Sequence, residues 1–449
     1  MITLPAADHL AYLEAGRLVD AATAAEARFW GVAPWADRSG SFLDDSALVE
    51  ALDAAAASIT PCTGDDPAAA VRALARQSVL AARERVASGG SWIRDARSVL
   101  IRAVLPGVLD RSAVSDEVAL LEARAAGVHV GGPAAEVDAL RRLVEDCARA
   151  RPAIADDIGR LATIAAPRGS GPAPRDDSAG GTGRTGRTGR AGPTPADAPD
   201  DRDRDTRVLG WCRRELERAF AVLEDDADDA LPELDGLARA HGPVEVRAID
   251  AHVERAIGSP ALALPYDGGG CVFMARSSHR DPAMRAHRLR HEGAPGHLTH
   301  FSLARGGPLH RYGMLFRDAA AREGWAVIAE RGHAPADRAA AVEASRERVR
   351  RALHGVVGLL RRSSGAAAAD AALDRIRSEH GPTLDAIGPG LARRVPLVYL
   401  RGAAAVAETV ERGFDAWAAA LTVGFVPMDV AADLVRADRP STRIPELTP

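Results

Sequence analysis

The sequence predicts a mainly α-helical protein carrying one short β hairpin or edge strand, and three observations support that expectation. Apolar residues recur at helical spacing, as in Val342, Val349, Leu353, Val356 and Leu360. Alanine, the strongest helix former, fills long runs such as residues 46–58 and 67–87. Residues 260–278 break the pattern in a different way from any linker. There Ala261-Leu262-Ala263-Leu264-Pro265-Tyr266 and Cys271-Val272-Phe273-Met274-Ala275 flank Gly268-Gly269-Gly270, which reads as two extended segments around a Gly-rich turn.

A chain of 449 residues has room for two or three domains or one large helical body. Residues 1–165 read as a helical N-terminal region. Leu10, Leu13, Leu18 and Val19 open it, and Pro61, Gly89-Gly90, Pro106 and Gly131-Gly132-Pro133 punctuate it. Trp30, Trp35 and Trp92 fit its core or rim. Residues 166–206 change character to Gly, Pro, Ser, Asp and Arg, with a Thr-Gly-Arg repeat at 182–190. Without apolar side chains such a stretch cannot offset its ordering entropy, so it reads as a disordered linker or inserted loop. Residues 207–449 form the third region. It starts with a helix over 208–240, continues through the hairpin, and carries core helices over 339–360 and 403–421. The first of these turns its arginines outward and holds His354 as a structural residue.

Net charge is −5 and the sequence pI about 6.2, which argues against nucleic-acid and membrane-surface partners. The sequence contains no lysine and no asparagine, a bias that reflects genome composition rather than function. Cys62, Cys147, Cys212 and Cys271 show no C-x-x-C spacing, which suits a reducing compartment and excludes a cysteine zinc site. No signal-peptide pattern and no run of about 18 apolar residues is visible, so the expectation is a soluble, cytoplasmic protein.

The chemistry concentrates at residues 290–297, Arg-His-Glu-Gly-Ala-Pro-Gly-His. In the common His-Glu-x-x-His form, two histidines one helical turn apart bind zinc and the glutamate activates a water. Here His297 follows His291 by six residues, roughly 600° of an ideal helix, which would point the two apart. Pro295-Gly296 allows the helix to bulge and bring His297 back. Downstream, Glu323 and Glu330 lie seven residues apart on a helix-compatible run, so both carboxylates can approach the histidines. His291, His297 and Glu323 are the expected zinc ligands, Glu292 the general base, and Glu330 a partner orienting a histidine. His287 and His300 are alternative ligands. Cys271–Ala275 could pair with substrate backbone as an edge strand, or serve only as a structural hairpin. Arg394 and Arg401 could hold a substrate carboxylate.

The motif His291-Glu292-Gly293-Ala294-Pro295-Gly296-His297, followed by Glu323-Gly324-Trp325-Ala326, resembles the bacterial domain-of-unknown-function 885 family of helical, zinc-peptidase-like proteins. Residues 396–402, with Tyr399 and Gly402, resemble that family's Tyr-x-x-Gly segment. Residues 414–429 resemble its terminal helix-turn signature. The resemblance implies a large helical metallopeptidase-like fold. It also implies a zinc hydrolase acting on a small peptide or peptide-like metabolite, with Tyr399 as donor to the developing oxyanion. A metal-dependent lyase or tailoring enzyme, and a catalytically silent scaffold, are the alternatives.

Overall fold

The computed structural model describes residues 45–59, 90–126, 134–164, 201–305, 319–332, 338–388 and 397–411, apart from 232, 267 and 268, together with scattered positions in 72–87 and 413–422. The helices expected before residue 45, Trp30, Trp35, Arg394, the Thr-Gly-Arg repeat and most of the 414–429 signature lie outside the described residues, as does the side chain of Trp92.

The architecture is mainly α with one three-stranded sheet. Helices α1 (Asp45–Ser58), α2 (Gly90–Val104), α3 (Arg111–Ala126), α4 (Ala134–Ala150) and α5 (Ala155–Ile164) come first. In α2, Ala96, Val99, Leu100 and Ala103 stand at i, i+3, i+4 and i+7, and all four are 0% exposed. They meet Val118, Leu140 and Ile158 of the neighbouring helices in one core. Leu48 and Leu52 of α1 go elsewhere, into a second core built on Trp211, Trp325, Leu353 and Trp417. The N-terminal region therefore feeds two cores.

The first six residues of helix α6 (Asp201–Glu224) fall within the stretch read from composition as loop. Its opening Asp-Arg alternation is polar, but aspartates suit the positive end of a helix dipole. Helix α7 (Glu233–Ala240) follows.

The sheet comprises β1 (Val244–Ile249), β2 (Ala261–Tyr266) and β3 (Gly269–Ala275), in the order β1-β3-β2. Helix α8 (Ala251–Ile257) makes the crossover after β1, capped by the Asp250 carboxylate, which accepts from the amides of His252 at 2.9 Å and Val253 at 3.0 Å. β1 pairs parallel with β3, and β2 pairs antiparallel with it. The expected hairpin is present. β1 was not expected from the sequence, although its Val-Glu-Val-Arg alternation is a strand signal. Every residue of β3 is buried because both faces of the central strand are covered. Cys271 and Phe273 face the core of α2–α5, whereas Val272 and Met274 face Leu298 and Phe301.

The remaining elements are α9 (Arg276–Arg280), α10 (Pro282–Glu292), α11 (His297–Arg305), α12 (Ala319–Ala329), α13 (Arg338–Ser363), α14 (Ala366–Ile387) and α15 (Leu397–Glu411). Along α13 the expected apolar stripe is largely buried, with Val342 half-buried. Its arginines do not all face water: Arg348 is 3% exposed and Arg351 5%. Each is held by buried or half-buried carboxylates. Arg348 bonds Glu215 and Asp229, and Arg331 reaches the same Asp229 at 2.7 Å. No helix among the described residues is long and apolar enough to cross a membrane.

Candidate metal centre

Helix α10 starts where Asp281 accepts from the amides of Ala283 at 3.0 Å and Met284 at 3.1 Å, with Pro282 as the first helical residue. It carries His287, Arg288, His291 and Glu292, all buried except the half-buried Arg288. It then stops. Gly293 caps its C-terminus, the Ala294–Pro295 peptide is cis, and a new helix begins at His297. The expected bulge within one helix is therefore a turn between two helices.

Two contacts hold the turn. A Cβ on Gly296 would lie 1.9 Å from the carbonyl oxygen of His291, so only glycine fits there. Trp325 Nε1 donates to the carbonyl oxygens of Pro295 at 2.7 Å and Gly296 at 2.8 Å. The tryptophan of the Glu-Gly-Trp-Ala run thus braces the Pro-Gly of the histidine motif. The turn brings the two imidazoles to 5.0 Å between ring centroids, edge to face.

Glu323, on α12, completes the group. Its Oε2 lies 3.7 Å from His291 Nε2 and 3.6 Å from His297 Nε2. One ligand atom from each of His291, His297 and Glu323 falls within 4.8 Å of the others, a group that could hold a metal ion. His287 and His300 do not belong to it. Both are buried, and burial pulls each imidazole down to about 3, so both are neutral.

Glu330 does what its position two turns beyond Glu323 suggested. Its Oε1 sits 2.7 Å from His291 Nδ1, which leaves Nε2 to face the ligand group. Arg351 in turn bonds both Glu330 oxygens, each at 2.6 Å. Glu330 is 0% exposed, and burial alone would raise its pKa, but Arg351 outweighs this and keeps it well below the usual carboxylate range. Burial pulls the His291 imidazole down, while Glu323 and Glu330 more than compensate and hold it at about 9.

Tyr399 enters from α15, and the reason is a close helix crossing. A Cβ on Gly324 would lie 2.1 Å from the backbone of Gly402, and one on Gly402 would lie 1.7 Å from the carbonyl oxygen of Ala320. Glycine at both places lets α12 and α15 touch through their backbones. Glu323 and Tyr399 therefore come within hydrogen-bonding reach of each other. Burial first, then the charges of Glu323 and Glu292, pushes the Tyr399 hydroxyl above its ordinary value, so it stays protonated.

These groups open on one cleft of about 500 Å³. His291, Glu292, His297, Glu323 and Tyr399 line it together. Its other wall is residues 258–263, which include the start of β2. The strand beside the cleft is thus β2, one of the two outer strands of the sheet, and not Cys271–Ala275, which is paired on both sides. Arg401, a candidate carboxylate holder, bonds Asp205 at 3.0 Å instead and does not line the cleft. Sequence reasoning missed Arg288 and Arg351. With 57 arginines and no lysine in the chain, neither carries a signal of its own.

No family model matches the chain, and no curated protein matches it. Among solved structures, that of a protein named as a lipoprotein from Colwellia psychrerythraea aligns over 95% of this chain and 98% of its own, with a TM-score of 0.46 and 14% identity.

Proposed function

We propose that the protein is a zinc-dependent hydrolase that cleaves an amide or peptide bond in a small peptide or peptide-like metabolite. The observation that carries this reading is the convergence of His291, His297 and Glu323 with Glu292 and Tyr399 in one cleft.

The donor set fits zinc. Two bonds of about 2.1 Å at a tetrahedral angle put ligand atoms about 3.4 Å apart, close to the 3.6 and 3.7 Å between Glu323 and the two histidines. Two histidines and one glutamate leave a coordination position open, which is the catalytic pattern. When bound, zinc would supply a water of lowered pKa and polarise the scissile carbonyl. Glu292, which lines the cleft with the ligand group, would accept a proton from the attacking water and return it to the leaving amine. Tyr399, kept protonated by its surroundings, donates to the oxygen on which negative charge develops. Glu330 and Arg351 hold His291 in one orientation. The cleft volume suits a ligand of a few residues, and the outer edge of β2 offers backbone groups to an extended chain. The order of these residues along the chain, through Gly402, also supports placing the protein beside the domain-of-unknown-function 885 family.

The test is a screen of zinc-loaded protein against short blocked peptides in ¹⁸O-labelled water. Hydrolysis places the label in the product carboxylate. Products that form without label would favour the lyase alternative, and absence of turnover across the screen would contradict the reading.

A further inference from the structure

The cleft carries more charge than the chemistry described above uses. Four arginines line it, Arg288, Arg322, Arg350 and Arg351, against three glutamates, Glu292, Glu323 and Glu347. A divalent metal would add two further positive charges, so the loaded cleft favours an anionic ligand.

The arginines are not equivalent. Arg351 is saturated by Glu330, at 2.6 Å to each oxygen. Arg350 bonds Glu347 at 2.5 Å. Arg288 makes no hydrogen bond and no close ion pair among the described residues, its Nε is buried without a partner, and the carboxylate its charge acts on is Glu347, which Arg350 already binds. It stands three and four residues before His291 and Glu292 on α10, which places all three on one helix face with Cβ atoms about 5–6 Å apart. A half-buried guanidinium with no carboxylate hydrogen-bonded to it gains from a ligand that supplies one. Arg351 and Arg350 have such a bonded carboxylate in Glu330 and Glu347, whereas Arg288 shares only the charge of Glu347.

We infer that Arg288 holds a carboxylate of the substrate, placed one or two residues from the bond that is cut. The inference rests on the hydrolase reading above and names its substrate class. An arginine fork grips a carboxylate through two parallel bonds, and the spacing along α10 sets the distance from that grip to the reacting carbonyl. The carboxylate can be the free C-terminus of a peptide or the side chain of an aspartate or glutamate beside the scissile bond. Both present the same chemistry to Arg288.

The test separates this from catalysis by measuring binding to the zinc-loaded Glu292→Gln protein. N-acetylated tri-alanine is titrated as the free acid and as its C-terminal amide. An amidated peptide with aspartate at the central position is compared with its asparagine counterpart. Tighter binding of the free acid by about 10–100-fold identifies the C-terminus as the source. The same advantage for aspartate over asparagine identifies the side chain. In either case a second substitution, Arg288→Gln, should abolish the advantage while zinc content stays unchanged, and Arg288→Lys should keep part of it. Equal binding of acidic and neutral peptides, including no measurable binding of any, overturns the inference, as does a preference that survives Arg288→Gln. If the preference is present but wild-type protein turns over no peptide, the hydrolase reading fails while the carboxylate site stands.

Discussion

Arg351 grips both oxygens of Glu330, and Glu330 in turn holds Nδ1 of His291. The three side chains come from α13, the end of α12 and α10, so the orientation of one imidazole depends on how three helices pack. Glu330→Gln should weaken metal binding about 10–100-fold, as loss of a ligand's hydrogen-bond partner does elsewhere. Chelator competition measures this. Arg351→Met leaves a buried carboxylate without its cation and should lower the unfolding free energy by about 3–5 kcal/mol in urea. A variant of either kind that matches wild type in both measurements would remove the pair from the account.

Gly324 and Gly402 set the distance between α12 and α15. Gly402→Ala puts a methyl group into the backbone of Ala320 and should cost about 1–3 kcal/mol or more. It should also reduce turnover, because Tyr399 lies one turn from the displaced contact. Gly358→Ala is the control. A Cβ there meets nothing within 4 Å, and replacing a helical glycine should raise stability by up to about 1 kcal/mol. Equal effects of the two changes on thermal melting would contradict the crossing argument.

Tyr399→Phe removes one donor and leaves the ligand group intact. Turnover should fall by about 10²-fold with metal content unchanged, the usual cost of losing a donor to an oxyanion. Unaltered turnover on a proven substrate would assign Tyr399 to packing.

The cysteines give an independent check on the cores. Burial pushes the thiols of Cys147 and Cys212 up to about 12 and that of Cys271 up to about 11. A raised pKa means fewer thiolates, so at pH 8 these three should stay silent to a thiol reagent in the native protein. All four cysteines of the sequence should react after denaturation. Fast reaction of three or more thiols in native protein would contradict the packing.

Much of this was legible in the sequence because it depends on short-range pattern. The hairpin of β2 and β3 followed from apolar runs around glycines, and Glu330 followed from its spacing to Glu323. The turn at Pro295-Gly296 was visible as a distortion, but its form depends on Trp325, 28 residues beyond His297, and no local pattern encodes that contact. The roles of Arg288, Arg348 and Arg351 were hidden for a different reason. An arginine on a helix looks the same in sequence whether it meets water or a buried glutamate, and the partners Glu215 and Asp229 lie more than 100 residues from Arg348. The placement of β2 beside the cleft, rather than β3, depends on β1 occupying the other edge, and the alternating polar positions of β1 lack the apolar run that marked β2 and β3.

The most direct test of the account is the metal content of the purified protein, measured by mass spectrometry alongside Glu292→Gln and Glu323→Gln. Wild type should hold about one zinc per chain. Glu292→Gln should keep the zinc and lose about 10²–10⁴-fold in turnover, whereas Glu323→Gln should bind the metal more weakly. A wild-type protein that contains no zinc and takes up none when it is added would contradict the central claim.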